Sequence, residues 1–156
     1  MNHDTYAKVL VEKSQAWLLT SEEIKAFLEA NNYSKLENVI ARREEAIQGY
    51  MDCLERWNVY LKSQDGFDDE EIFLPRLLDY FERQGLKVLV QALNEVKQNL
   101  SGIRALDSDI TNLAKQIPAD IKQLLVDLQI KKPALSAYLK SKTDPLTSFS
   151  RFDRSK

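Results

Sequence analysis

The chain holds very few side chains able to do chemistry, and their spacing defeats the usual combinations. His3 is the only histidine and Cys53 the only cysteine. A site of several histidine ligands, or the Glu-x-x-His pairs of di-iron bundles, cannot be assembled from them. Cys53 would need a neighbouring base to act as a nucleophile, and the sequence supplies no histidine for that, so it reads as a small apolar filler beside a helical stripe. His3, close to the first residue, reads as a terminal side chain without a role. The glycines Gly49, Gly66, Gly85 and Gly102 are scattered, so no phosphate-cradling loop forms. Carboxylates are paired at Glu44-Glu45 and clustered from Asp68 to Glu71, where the pattern places them on solvated faces that would leave their acidity ordinary. The expectation is a protein that is not an enzyme and uses no cofactor and no metal, with no catalytic or cofactor-binding residue to assign.

What remains is a surface for holding another polypeptide, and one stripe dominates it. Leu36, Ile40, Ile47, Tyr50, Leu54, Trp57 and Leu61 fall at alternating steps of four and three, interrupted only by Arg43. That spacing draws a narrow oily track along one helix, which needs partner helices to cover it. Arg43 on such a seam must snorkel to water, meet a carboxylate and so set register, or face a bound partner. Trp17, Tyr50 and Trp57 read as core aromatics.

The elements that position the stripe follow from caps and breakers. A first helix is expected from Asp4, carrying Tyr6, Leu10, Trp17, Ile24 and Phe27, and stopping at Asn31 and Asn32. Thr20-Ser-Glu-Glu23 is a capping box that could start a new helix, but the apolar track keeps phase through it, which favours one continuous helix. Ser34-Lys-Leu-Glu37 is a second capping box, immediately before the long stripe. Leu36 to Leu61 makes a rod of roughly 39 Å, and the short Asn-Asn-Tyr link folds it back antiparallel on helix one. Asp65-Gly66 and the acidic cluster form a solvated turn, followed by a short connector helix with Pro75 in its first turn, Leu77, Leu78 and Phe81 inward, and Gly85 at its end. A long third element carries Leu86, Leu89, Leu93, Val96, Leu100, Ile103, Leu106, Ile110, Leu113 and Ile117, with a kink at Pro118 before Ile121, Leu124, Leu125, Leu128 and Ile130. The fold class is therefore all-α, an elongated antiparallel helical bundle or coiled-coil hairpin with a long kinked third helix and a short connector helix.

The 156 residues suit one domain, read as a helical bundle over 1–141 with a flexible basic tail over 142–156. Charged residues make up 29% and the hydrophobic set 44%, a globular or coiled-coil balance. The formal charge is −2. From Lys140 onward five cations face Asp144 and Asp153, a net +3, which leaves −5 upstream. An acidic body lacks the field that gathers a phosphate backbone, so no nucleic acid is expected as partner. No run approaches the roughly 18 apolar residues of a membrane span, and the charged N-terminus is unlike a signal peptide. With a lone cysteine, the expected location is cytoplasmic, without membrane insertion. In the tail, Leu146, Phe149 and Phe152 are isolated apolar anchors, docking points or decoration alike.

Two stretches resemble a known family. Asn32-Tyr-Ser-Lys-Leu36 with Glu37-Asn-Val-Ile-Ala-Arg-Arg-Glu44 is similar to the turn and second-helix start of the FliT and FlgN type of flagellar, type III, export chaperones. Ile121 with Leu124 and Leu128, then Lys131-Lys-Pro-Ala-Leu-Ser-Ala-Tyr138 and Ser150-Arg-Phe-Asp-Arg154, resembles that family's C-terminal part. The 68–85 connector and the two prolines of the last helix depart from its pattern. The resemblance implies a chaperone that holds a filament-cap or hook-associated protein unassembled and delivers it to the export gate, consuming no ATP. A client's amphipathic C-terminal helix can add to a helical bundle in the helix-in-groove mode. The expected groove is Ile117, Ile121, Leu124 and Leu128, with Leu135 and Tyr138 as further client or export-gate contacts; Tyr138 could equally cap the bundle. The alternative is a homodimeric coiled-coil adaptor or scaffold, paired through the leftover stripe and without a secreted client.

Overall fold

The computed structural model describes residues 2–64, 74–120, 122 and 123, and among these every regular element is a helix. The order is α1 (His3–Glu29), α2 (Leu36–Gln64), α3 (Leu74–Gln84) and α4 (Lys87–Ala114). The protein is an all-α helical bundle.

Helix α1 begins one step earlier than Asp4. Asn2 is the N-cap, its side-chain oxygen accepting from the Thr5 backbone N–H at 2.9 Å, while Asp4 sits in the first turn facing the positive end of the dipole. The helix runs unbroken through Thr20-Ser21, whose hydroxyls donate back to the Trp17 carbonyl at 3.0 and 2.8 Å instead of capping a new start. Its C-terminus closes with Asn31 at φ 56° and the Asn32 N–H on the Phe27 carbonyl at 2.9 Å, a Schellman closure. Gly85 (φ 73°) ends α3 the same way, with the Leu86 N–H on the Phe81 carbonyl at 3.1 Å.

Ring and polar contacts set the directions. Rising positions on α1 meet falling positions on α2: Tyr6 stacks on Trp57 at 5.8 Å, Trp17 meets Tyr50 edge-on at 5.8 Å, and Ser21 meets Arg43. Those two helices are antiparallel, as the short link requires. Rising positions on α1 meet rising positions on α4: Ser14 with Asn99, Leu18 beside Gly102, Lys25 with Asp109. The three long helices thus run up, down and up, with α1 packed tightly against both others and α3 closing the end where α1 starts. An ideal Cβ at Gly102 would lie 3.1 Å from the Leu18 side chain, so the absent side chain is what lets α4 sit so close.

Every apolar member of the long stripe is buried, from Leu36 at 0% exposure to Leu54 at 8%. The track is covered within one chain. On α1 the buried stripe includes Leu28, whereas Phe27 is only half-buried; on α4, Leu89, Leu93, Val96, Leu100 and Ile103 are buried, Leu106, Ile110 and Leu113 half-buried, and Leu86 exposed at the N-cap. Helix α4 stops at Ala114, three residues before Ile117, and helical backbone resumes at Ala119. The residue before a proline is pushed out of the α region, so the helix gives way ahead of Pro118 and does not kink through it. The acidic turn around 65–73, Leu124 onward including Pro133, and the basic tail lie outside the described residues.

Candidate partner-binding site

Two layers of the bundle carry its unusual side chains. The first surrounds Arg43, which is 4% exposed. Its Nε donates to Ser21 Oγ at 2.9 Å and its Nη2 to Asp107 Oδ1 at 2.6 Å, so one guanidinium ties α2 to both α1 and α4. Of the readings open for this residue, the carboxylate partner is the one found. Burial pulls the Arg43 pKa below its usual range, opposed by the charges of Asp107 and Glu44. Glu44 is itself buried, at 8% exposure, which corrects its reading as part of a solvated face.

The second layer lies at the opposite end and corrects the reading of His3. The Trp57 indole N–H donates to His3 Nδ1 at 3.0 Å, and the imidazole meets the Tyr60 and Phe81 rings edge-on at 5.2 and 5.0 Å. His3 is a packed member of an aromatic cluster spanning α1, α2 and α3. Its pattern position carried no signal, because the partners come from elements far along the chain.

Cys53 is buried, donates to the Tyr6 carbonyl at 3.4 Å, and burial pushes its thiol up to about 11, leaving little thiolate at neutral pH. Among the described residues no group of three or more His, Cys, Asp or Glu is placed to hold a metal ion, and no helix is long and apolar enough to cross a membrane. Tyr50 is fully buried, burial raises its phenol far above the ordinary value, and its hydroxyl has no hydrogen-bond partner among the described residues. An unpaired buried hydroxyl is a cost the fold carries. Tyr50→Phe should therefore leave the urea midpoint unchanged or raise stability by up to about 1 kcal/mol, read by equilibrium denaturation.

The predicted partner-binding residues divide. Ile117 is described and is 8% exposed, packed into the core where the chain leaves α4. Ile121, Leu124, Leu128, Leu135 and Tyr138 lie outside the described residues. Around the exit point Phe27, Tyr33, Ile110, Leu113 and Ala114 are half-buried against the core, as are Val9, Leu18, Met51 and Tyr60 elsewhere on the bundle. Those around the exit point lie at the link end of the hairpin, close to the Lys25–Asp109 ion pair of 2.9 Å. Sequence reading missed two open grooves at the other end. One, of about 600 Å³, is lined by Tyr6, Asp52, Glu55, Arg56, Val59 and Tyr60, with Val59 64% exposed. The other, of about 380 Å³, lies at the α3–α4 corner beside Leu86 and Val90.

The chain matches no known protein family, no curated protein and no solved structure. The fold defines it as an all-α helical bundle.

Proposed function

We propose that this protein is a cytoplasmic export chaperone of the flagellar type III kind. It captures the C-terminal amphipathic helix of a filament-cap or hook-associated protein, prevents premature assembly, and presents the client to the export gate without catalysing a reaction. What supports the reading is that Phe27, Tyr33, Ile110 and Leu113 are half-buried at the end of the bundle where Ile117 lies, just ahead in sequence of Ile121, Leu124 and Leu128. A helical bundle with half-buried apolar side chains at one end can gain by accepting one more amphipathic helix, which anchors at i, i+3 or i+4, and i+7. The adaptor alternative needs a stripe left over on the bundle for two chains to pair through, and the α2 stripe, closed within the chain, does not supply it.

Calorimetric titration with C-terminal helices of candidate flagellar subunits should find one that binds 1:1. Leu124→Asp with Leu128→Asp should abolish that capture while circular dichroism stays helical. Unaltered capture by the double variant moves the groove elsewhere. A concentration-independent homodimer that ignores all such peptides returns the adaptor reading.

A further inference from the structure

The α1–α4 seam combines an interchangeable apolar pattern with contacts that are not interchangeable. Leu89, Val96 and Ile103 repeat every seventh residue, as do Leu93 and Leu100, so sliding α4 by one heptad would present α1 with much the same oily surface. The polar contacts do not repeat. Asn99 donates to the buried Ser14 hydroxyl at 3.0 Å across an offset of 85 residues. Farther along, Asp107 accepts from Arg43, which also holds Ser21. The Lys25–Asp109 pair keeps the offset at 84, and Gly102 faces Leu18 between these layers. A heptad slip in either direction would separate Asp107 from the buried Arg43 cation, and the slip toward the start of α1 would also set Asn99 against Ala7, whereas the opposite slip would bring it to Ser21.

We propose that the Ser14–Asn99 and Ser21–Arg43–Asp107 layers form a two-toothed register key that selects one seating of α4 on the hairpin. Buried ion pairs seldom add stability over well-packed apolar replacements, whereas buried polar residues are well attested as determinants of register in helical assemblies. The key chooses among seatings that hydrophobic burial alone leaves close in energy.

The test uses the full chain in a Cys53→Ala background, with spin labels on cysteines replacing the exposed Lys8 of α1 and Asn112 of α4. Pulsed electron resonance should give a single label distance with the native key. Removing both teeth (Ser14→Ala, Ser21→Ala, Arg43→Met, Asn99→Leu, Asp107→Leu) should keep the chain helical and add a population displaced by about 10 Å, one heptad of rise. A single unshifted distance in that folded variant overturns the proposal. If the fivefold variant does not fold, the Ser21→Ala, Arg43→Met, Asp107→Leu variant is read the same way. Failure of both to fold also overturns it, since the layers would then be holding the bundle together and not choosing its register.

Discussion

Trp57→Ala should cost about 3–5 kcal/mol, the range for deleting a fully buried large aromatic. The indole is 0% exposed and lies between the Tyr6 ring at 5.8 Å and the Phe81 ring at 5.7 Å, nearly parallel to both. Its removal opens a void where α1, α2 and α3 meet through rings, and it withdraws the donor that holds His3. Domains of this size have roughly 5–15 kcal/mol in total, so a large share of the stability is at stake. The expected fall in melting temperature is about 6–20 °C, at roughly 2–4 °C per kcal/mol for a chain of this length. Trp57→Phe separates the contributions: it keeps an apolar ring in the stack but removes the N–H, and should lose only about 1–2 kcal/mol. Thermal scans followed by circular dichroism check both. If Trp57→Ala melts like the native chain, α3 is not anchored through this layer.

The contrast between Trp57 and His3 shows where the sequence was legible. Trp57 lies on a track of steps of three and four held over more than three heptads, and such a repeat has one physical outcome, a buried helical face. The helix α3 was readable for a similar reason, since Pro75, an apolar triplet and Gly85 are local signals that act within a single turn. His3 offers nothing of the kind: its environment is built from Trp57, Tyr60 and Phe81, more than fifty positions away along the chain. Glu44 was misread because charge argues for solvent, while the Arg43 beside it draws polar groups inward. The end of α4 was placed too late for a third reason. Periodicity carries Leu106, Ile110, Leu113 and Ile117 on one line, yet the conformational restriction ahead of Pro118 acts on backbone and leaves no mark in the apolar pattern. Of the predicted groove, Ile117 alone falls in the described bundle, and it is buried there just beyond the end of α4.

Arg43→Met is expected to be the most damaging exchange outside the aromatic layer, at about 3 kcal/mol. The methionine fills much of the space, so the loss is not a cavity. It comes from what is left behind: Asp107, only 18% exposed, and the buried Glu44 keep their negative charges without the guanidinium that faced them, and Ser21 loses the donor on its hydroxyl. Removing one partner of a buried pair typically costs about 3–5 kcal/mol, and the water that still reaches Asp107 sets the value at the lower end. Asp107→Leu combined with Arg43→Met removes both members of the ion pair and leaves the Glu44 charge beside the site, so it should recover part of the loss. The two changes are therefore strongly non-additive, in the sense expected for side chains in direct contact. Arg43→Lys discriminates charge from shape: an ammonium can satisfy Asp107 but lacks the planar fork that reaches Ser21 at the same time, so an intermediate loss is expected. Urea denaturation of the three variants measures this directly. A single Arg43→Met variant as stable as the native chain would mean that Asp107 finds water in its place, and that the charge on the stripe was never held in the interior.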